Sequence, residues 1–218
     1  GMISDINTKY LNGGNMNKKE RVISVIRGEV PDHVPCCFSL HFLRKEKTLE
    51  EDTQLHLSFF KETDMDIVKI MNENLLPFYG EIKRPEDWKV IPQITLNDGF
   101  MQRQIELTKR ILDGMDPEAF SIGTLHGVCA SAIHPIEEKY GYEAVRNLQV
   151  NHFRENKKPI MEAWKRIADS MARLAQKYIE LGVDGVYYAG LGGEQRYFTD
   201  EEFAECIEPF DKQILQAV

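Results

Sequence analysis

Between Pro159 and Leu181 the apolar side chains fall at Ile160, Trp164, Ile167, Met171, Leu174, Tyr178 and Leu181, at alternating spacings of four and three. That spacing predicts one long amphipathic helix with a single apolar seam. Gly182 stops it, and the β-branched and aromatic run Val183–Tyr188 reads as a buried strand that breaks into a loop at Gly190, Gly192 and Gly193. The same grammar recurs upstream. Val22, Ile23 and Ile26 share one face of a helix over Asn17–Arg27 that ends at Gly28, and a short strand, Val34–Leu40, follows. Thr48 with Glu51 three residues on is a capping box, and Leu55, Phe59 and Phe60 continue the apolar face of the helix it opens. Met65–Met71 reads as a second strand. After an irregular stretch holding Pro85, Trp88 and Pro92, a helix is expected over Gly99–Leu112 and a third strand over Ala119–Thr124. Thr199 and Glu202 cap a last helix.

Strand and helix thus alternate four times, which predicts an α/β fold of four parallel strands joined by right-handed helical crossovers. Each strand runs into a loop at its carboxyl end, where α/β folds carry their sites. Met2–Asn15 reads as a disordered extension behind a cloning remnant, Gly1, so that the domain proper is expected over 17–218.

Composition narrows the function. A net charge of -8 without a basic stripe argues against nucleic acid and anionic membranes as partners. The longest apolar runs fall far short of the roughly 20 residues that span a bilayer, and the polar start lacks a signal-peptide core. The four cysteines, Cys36, Cys37, Cys129 and Cys206, form neither a CxxC pair nor a zinc-ribbon spacing, which suits a reducing cytoplasm, and Cys36, Cys37 and Cys129 are expected as buried small hydrophobes. A small-molecule substrate is the expected partner.

Four segments, in order, resemble the uroporphyrinogen decarboxylase family, which includes the corrinoid and coenzyme M methyltransferases: "NKKERVISVIRGEVPDHVPCCFSLHF" from Asn17, "DMDIVKIMNEN" at the second strand, "IGTLHG" at the third and "LGVDGVYYAGLGGEQRYFTDEEFAECIEPFDKQIL" at the fourth. The resemblance implies a (β/α)8 TIM-type barrel with the site at the carboxyl ends of its strands. Four strands within this length imply the amino-terminal half of that barrel, whose open edges call for a second copy or a second half-barrel subunit.

The resemblance also points to residues. Where the decarboxylases carry an arginine-rich segment, this chain reads "SLHFLRKE", with His41 and Arg44; the catalytic aspartate aligns with Glu73, beside Asn72, and the tyrosine and serine align near Ser131 and Gly190. These departures point away from porphyrinogen decarboxylation, because the substrate's many carboxylates would meet too little positive charge. They leave methyl transfer from a small or corrinoid-bound donor as the leading reading, with decarboxylation or a catalytically empty assembly subunit as alternatives. Zinc in the resembled methyltransferases is bound in the second half of the barrel, so zinc or a corrinoid is expected only if a second half supplies the site, and no metal ligand is assigned to this chain. The candidate catalytic residues are Glu73, His41 and His126, each just past a strand. The candidate substrate contacts are Arg44, Asn72, Tyr187, Gly190 and Gly192. Tyr187 and Tyr188 point to opposite faces of their strand, so only one lines the barrel interior.

Overall fold

Asn17 accepts a hydrogen bond from the Glu20 amide at 2.8 Å while the Glu20 carboxylate returns one to the Asn17 amide at 3.0 Å, and this reciprocal box starts helix α1, Lys18–Ile26. The computed structural model describes residues 14–42 and 46–218. The same device starts α2, Leu49–Thr63, from Thr48 and Glu51, and α7, Asp200–Cys206, from Thr199 and Glu202. Between them run β1, Ile67–Ile70; a 3-10 turn, Pro85–Val90; α3, Gly99–Gly114; β2, Phe120–His126; α4, Val128–Tyr140; α5, Tyr142–Glu155; α6, Lys157–Leu181; and β3, Gly185–Ala189. Helix α8, Glu208–Leu215, comes last. The strands form one parallel sheet in the order β1-β2-β3, an arrangement consistent with part of a TIM-like barrel.

The run 34–40, expected as the first of four strands, is not a strand, and the sheet has three strands among the described residues. The reason is visible at Cys36. Its carbonyl accepts from both Asp66 and Ile67 at 3.1 Å, but its own N–H donates to the Asp66 carboxylate at 2.8 Å instead of to a backbone carbonyl. Pro35 has no N–H to offer. A side chain and a proline together interrupt the ladder before it starts, and Val34, Phe38 and Leu40 are left 86%, 52% and 50% exposed.

The chain divides into two compact units, Gly1–Met71 with Lys109–Ile122, and Asn72–Thr108 with Gly123–Val218. In the first, the buried guanidinium of Arg21 on α1 donates to Asp32 at 2.6 and 3.0 Å, to the Met16 carbonyl at 2.9 Å, and to Asp66 just before β1. The Arg21 charge holds the Asp32 carboxyl well below the usual carboxylate range. Buried His56 on α2 accepts from the Met71 amide at 3.1 Å through Nε2, which leaves Nδ1 to donate to the Asp52 carbonyl at 2.8 Å. Arg21 and His56 therefore tie α1 and α2 to the residues on either side of β1, Asp66 and Met71.

In the second unit α6 packs on the 3-10 turn, α4, α5 and α8. Six of the seven seam residues read from the sequence are buried, and Leu181, next to the Gly182 cap in its left-handed conformation, is partly exposed. Trp88 of the 3-10 turn donates its indole N–H to Nδ1 of buried His152 on α5 at 2.9 Å. An indole can only donate, so Nδ1 is the acceptor, the ring proton sits on Nε2, and Nε2 donates to the Lys83 carbonyl at 3.1 Å. Protonating His152 would set one N–H against another. Burial already holds its pKa below the ordinary 6.5. With the folded pKa depressed, the bond's contribution is present above pH 6.5 and is lost as the pH falls from there towards the folded value. Urea unfolding between about pH 7 and about pH 5 should show stability falling by up to about 1.4 kcal/mol per pH unit from this group. His152→Gln should flatten that slope, and an unchanged slope in the variant would refute the assignment.

Candidate functional site

The backbone N–H of Gly127, directly after β2, donates to the carbonyl of Ala189 at the end of β3 at 3.0 Å. In a parallel ladder that bond pairs Gly127 with Gly190, and so sets Tyr188 beside Leu125 and Tyr187 beside Thr124. The glycine pair is a close approach: a Cβ on Gly127 would lie 3.2 Å from the Gly190 Cα, 2.9 Å from the Tyr188 hydroxyl and 3.1 Å from Asp211 Oδ1. The two strand ends meet here because neither residue carries a side chain.

Gly123 of β2 sits against the Tyr178 ring of α6, so 121, 123 and 125 face the helices and 124 and 126 face the other way. By the pairing above, Tyr188 lies on the helix side and Tyr187 on the opposite face with Thr124 and His126. The sequence reading that separated the two tyrosines is matched by their surroundings. Tyr187 is 45% exposed, while the half-buried Tyr188 donates its hydroxyl to Asp211 of α8.

Asp211 also accepts from the amide of Val128, the first residue of α4, at 3.4 Å. It thus joins β3, α8 and the amino end of α4, where a carboxylate complements the helix dipole. Burial raises the pKa of Asp211, with the Tyr188 and Val128 hydrogen bonds pulling the other way. Burial also raises that of Tyr188, and the neighbouring Asp211 charge raises it further.

The segment after β1 is held by amides. Asn74 Nδ2 donates to Gln104 at 2.8 Å, Gln104 Nε2 donates to the Tyr178 hydroxyl at 3.2 Å, and Tyr178 donates to the Thr124 carbonyl at 2.8 Å. Asn72 also hydrogen-bonds Tyr178, and its Oδ1 accepts from the Asn74 amide at 3.1 Å. Asn72 is buried in this network, and Glu73 between the two anchored asparagines is exposed. The network fixes the backbone on both sides of Glu73 to the carboxyl half of β2.

His126, the last residue of β2, is half-buried, its carbonyl accepts from Ser131 at 3.3 Å, and its ring meets the His134 ring edge to face at 4.9 Å. Burial pushes the His134 imidazole down to about 3, so it is neutral across the physiological range.

After β3 the chain is locked by a cluster that sequence reading missed. Arg146 of α5 is fully buried and donates to Glu194 at 3.0 and 2.8 Å and to the Tyr142 hydroxyl at 2.7 Å, with Tyr197 stacked on the guanidinium at 4.1 Å. Arg146 holds the Glu194 carboxyl down at about 2. Glu194 in turn accepts from the Gly192 amide at 2.8 Å. Gly192 adopts φ +101°, and a Cβ there would reach 2.2 Å from Ile207. Its amide is committed to Glu194, while Gly190 remains exposed.

Of the residues singled out in the sequence, Glu73, Asn72, His126, Tyr187, Gly190 and Gly192 all fall in the second unit, around the strand ends. His41 lies in the first unit, exposed, and Arg44 lies outside the described residues. Nothing local in the sequence singles out Arg146, between Val145 and Asn147 of α5, or Asp211, between Phe210 and Lys212 of α8. Among the described residues no three His, Cys, Asp or Glu side chains come together as a metal site, and no helix is long and apolar enough to cross a membrane.

No family model matches the sequence, and no curated protein matches it. The fold does match a solved structure: a methyltransferase from Methanosarcina mazei, with a TM-score of 0.70 and 14% sequence identity, over 94% of this chain and 68% of that one.

Proposed function

We propose that this chain is part of a (β/α)8-type methyltransferase, its amino-terminal half, acting on a small or corrinoid-bound methyl donor. The observation that carries the reading is the likeness in fold, over 94% of the chain, to a methyltransferase. The polar groups gathered after β1, β2 and β3 support it, because strand ends are where barrels place their sites. In this reading His126 moves a proton at the group that accepts the methyl, and Glu73 binds the polar edge of the substrate. Tyr188, Asp211 and the Gly127–Gly190 contact position the His126 backbone without touching substrate.

The described residues do not fit a zinc site. Besides the lack of a three-ligand cluster, Cys129 donates its thiol to Gln149 at 3.2 Å, and burial pushes that thiol up to about 12. A corrinoid enters here only as the methyl-bearing substrate.

We further propose that a second copy or a second half-barrel subunit covers the Tyr187 face of β3, where that ring is 45% exposed. Porphyrinogen decarboxylation is the weaker reading, since only His41 and Arg44 stand where an arginine cluster would be needed. The test is transfer of a labelled methyl group from methylcobalamin to 2-mercaptoethanesulfonate by the purified protein, alone and with any co-purifying subunit. Protein-dependent, saturable transfer is expected. Release of carbon dioxide from uroporphyrinogen without methyl transfer would overturn the reading.

A further inference from the structure

In the second unit a cleft of about 900 Å³ opens between the segment after Glu73 and the carboxyl half of α4, a size that accommodates a small organic molecule. Phe78 and Tyr142, 52% and 43% exposed, supply aromatic surface. Glu137 and Glu138 supply negative charge. Lys139, the one cation in the lining, is paired with Glu81 and lies over the Phe78 ring at 5.1 Å, so its charge is neutralised within the wall. His134 also lines the cleft.

Aromatic faces beside carboxylates attract a cation and repel an anion. We propose that this cleft binds a small organic cation with a planar apolar body, its ring against Phe78 and Tyr142 and its N–H groups directed to Glu137 and Glu138. The site is separate from the methyl-transfer reading and stands or falls without it.

Three isosteric probes test the proposal on the intact protein: benzamidinium, neutral benzamide and anionic benzoate, titrated while backbone amide and histidine ring resonances are followed. Benzamidinium should bind saturably with a dissociation constant of about 1 mM, as expected of so small a ligand. Shifts should centre on 75–78 and 134–142 and include the His126 ring, which touches His134 at 4.9 Å. Benzamide should bind at least about tenfold more weakly and benzoate not measurably. Glu138→Gln, a surface change that leaves packing intact, should weaken benzamidinium about fivefold, and Phe78→Ala should do so at least equally. Benzoate binding as well as benzamidinium, no saturation by benzamidinium, or shifts centred elsewhere would each overturn the proposal.

Discussion

Glu194→Gln is expected to destabilise the protein by about 3 kcal/mol, because it strands a buried guanidinium. Arg146 is wholly buried, and its charge is answered by the two Glu194 oxygens at 2.8 and 3.0 Å. Removing one partner of a buried pair costs about 3–5 kcal/mol, and the low end applies because water reaches the Glu194 side. For a chain of this size that corresponds to a fall in Tm of roughly 6–12 °C. The pH dependence has a definite sign. The Glu194 carboxyl, at about 2 in the folded protein against 4.5 unperturbed, contributes stability that is present above pH 4.5 and fades as the pH falls towards 2. Thermal unfolding of wild type and variant should therefore differ at neutral pH and converge in acid. A constant difference across that range would show that the pair is not the source.

His126→Gln is expected to lower kcat for methyl transfer by about 100-fold or more, the usual worth of a positioned proton-transfer group. The glutamine keeps hydrogen-bonding capacity and approximate volume but cannot titrate. Since the half-buried ring touches His134 edge to face, a loss of stability of no more than about 1 kcal/mol is expected. Asp211→Asn separates positioning from catalysis: it should lower kcat less and leave the pH profile of kcat in place, whereas His126→Gln should abolish the limb that reports the imidazole. An unchanged kcat in His126→Gln would remove His126 from the chemistry.

The long helix was legible because its seam of fours and threes is a strong periodic signal, and Ile160 through Tyr178 are buried as that period requires. The capping boxes at Thr48 and Thr199 were legible because they are local, closed within three residues. Three strands were legible as short runs, two of them opening into glycine at Gly127 and Gly190. The run 34–40 has the same composition, yet its pairing is decided by the Asp66 carboxylate, 30 residues away, and no local pattern reveals that. Helix α4 was obscured in a different way. Val128–Ile133 is buried throughout, so apolar and polar positions do not alternate, and Pro135 argues against a helix it does not in fact end. At the site, residues after strands could be read from position alone. Arg146–Glu194 and Tyr188–Asp211 could not, because each joins residues 23 or more apart and a charged helical residue ordinarily faces water.

Under the proposed function the segments after the strands, at Glu73, His126 and Gly190, receive the methyl donor. Titration of the isotopically labelled protein with methylcobalamin tests it most directly. The account predicts saturable shifts of the Glu73, His126 and Gly190 amides, weakened in His126→Gln. Saturable shifts confined to residues remote from these strand ends would contradict it.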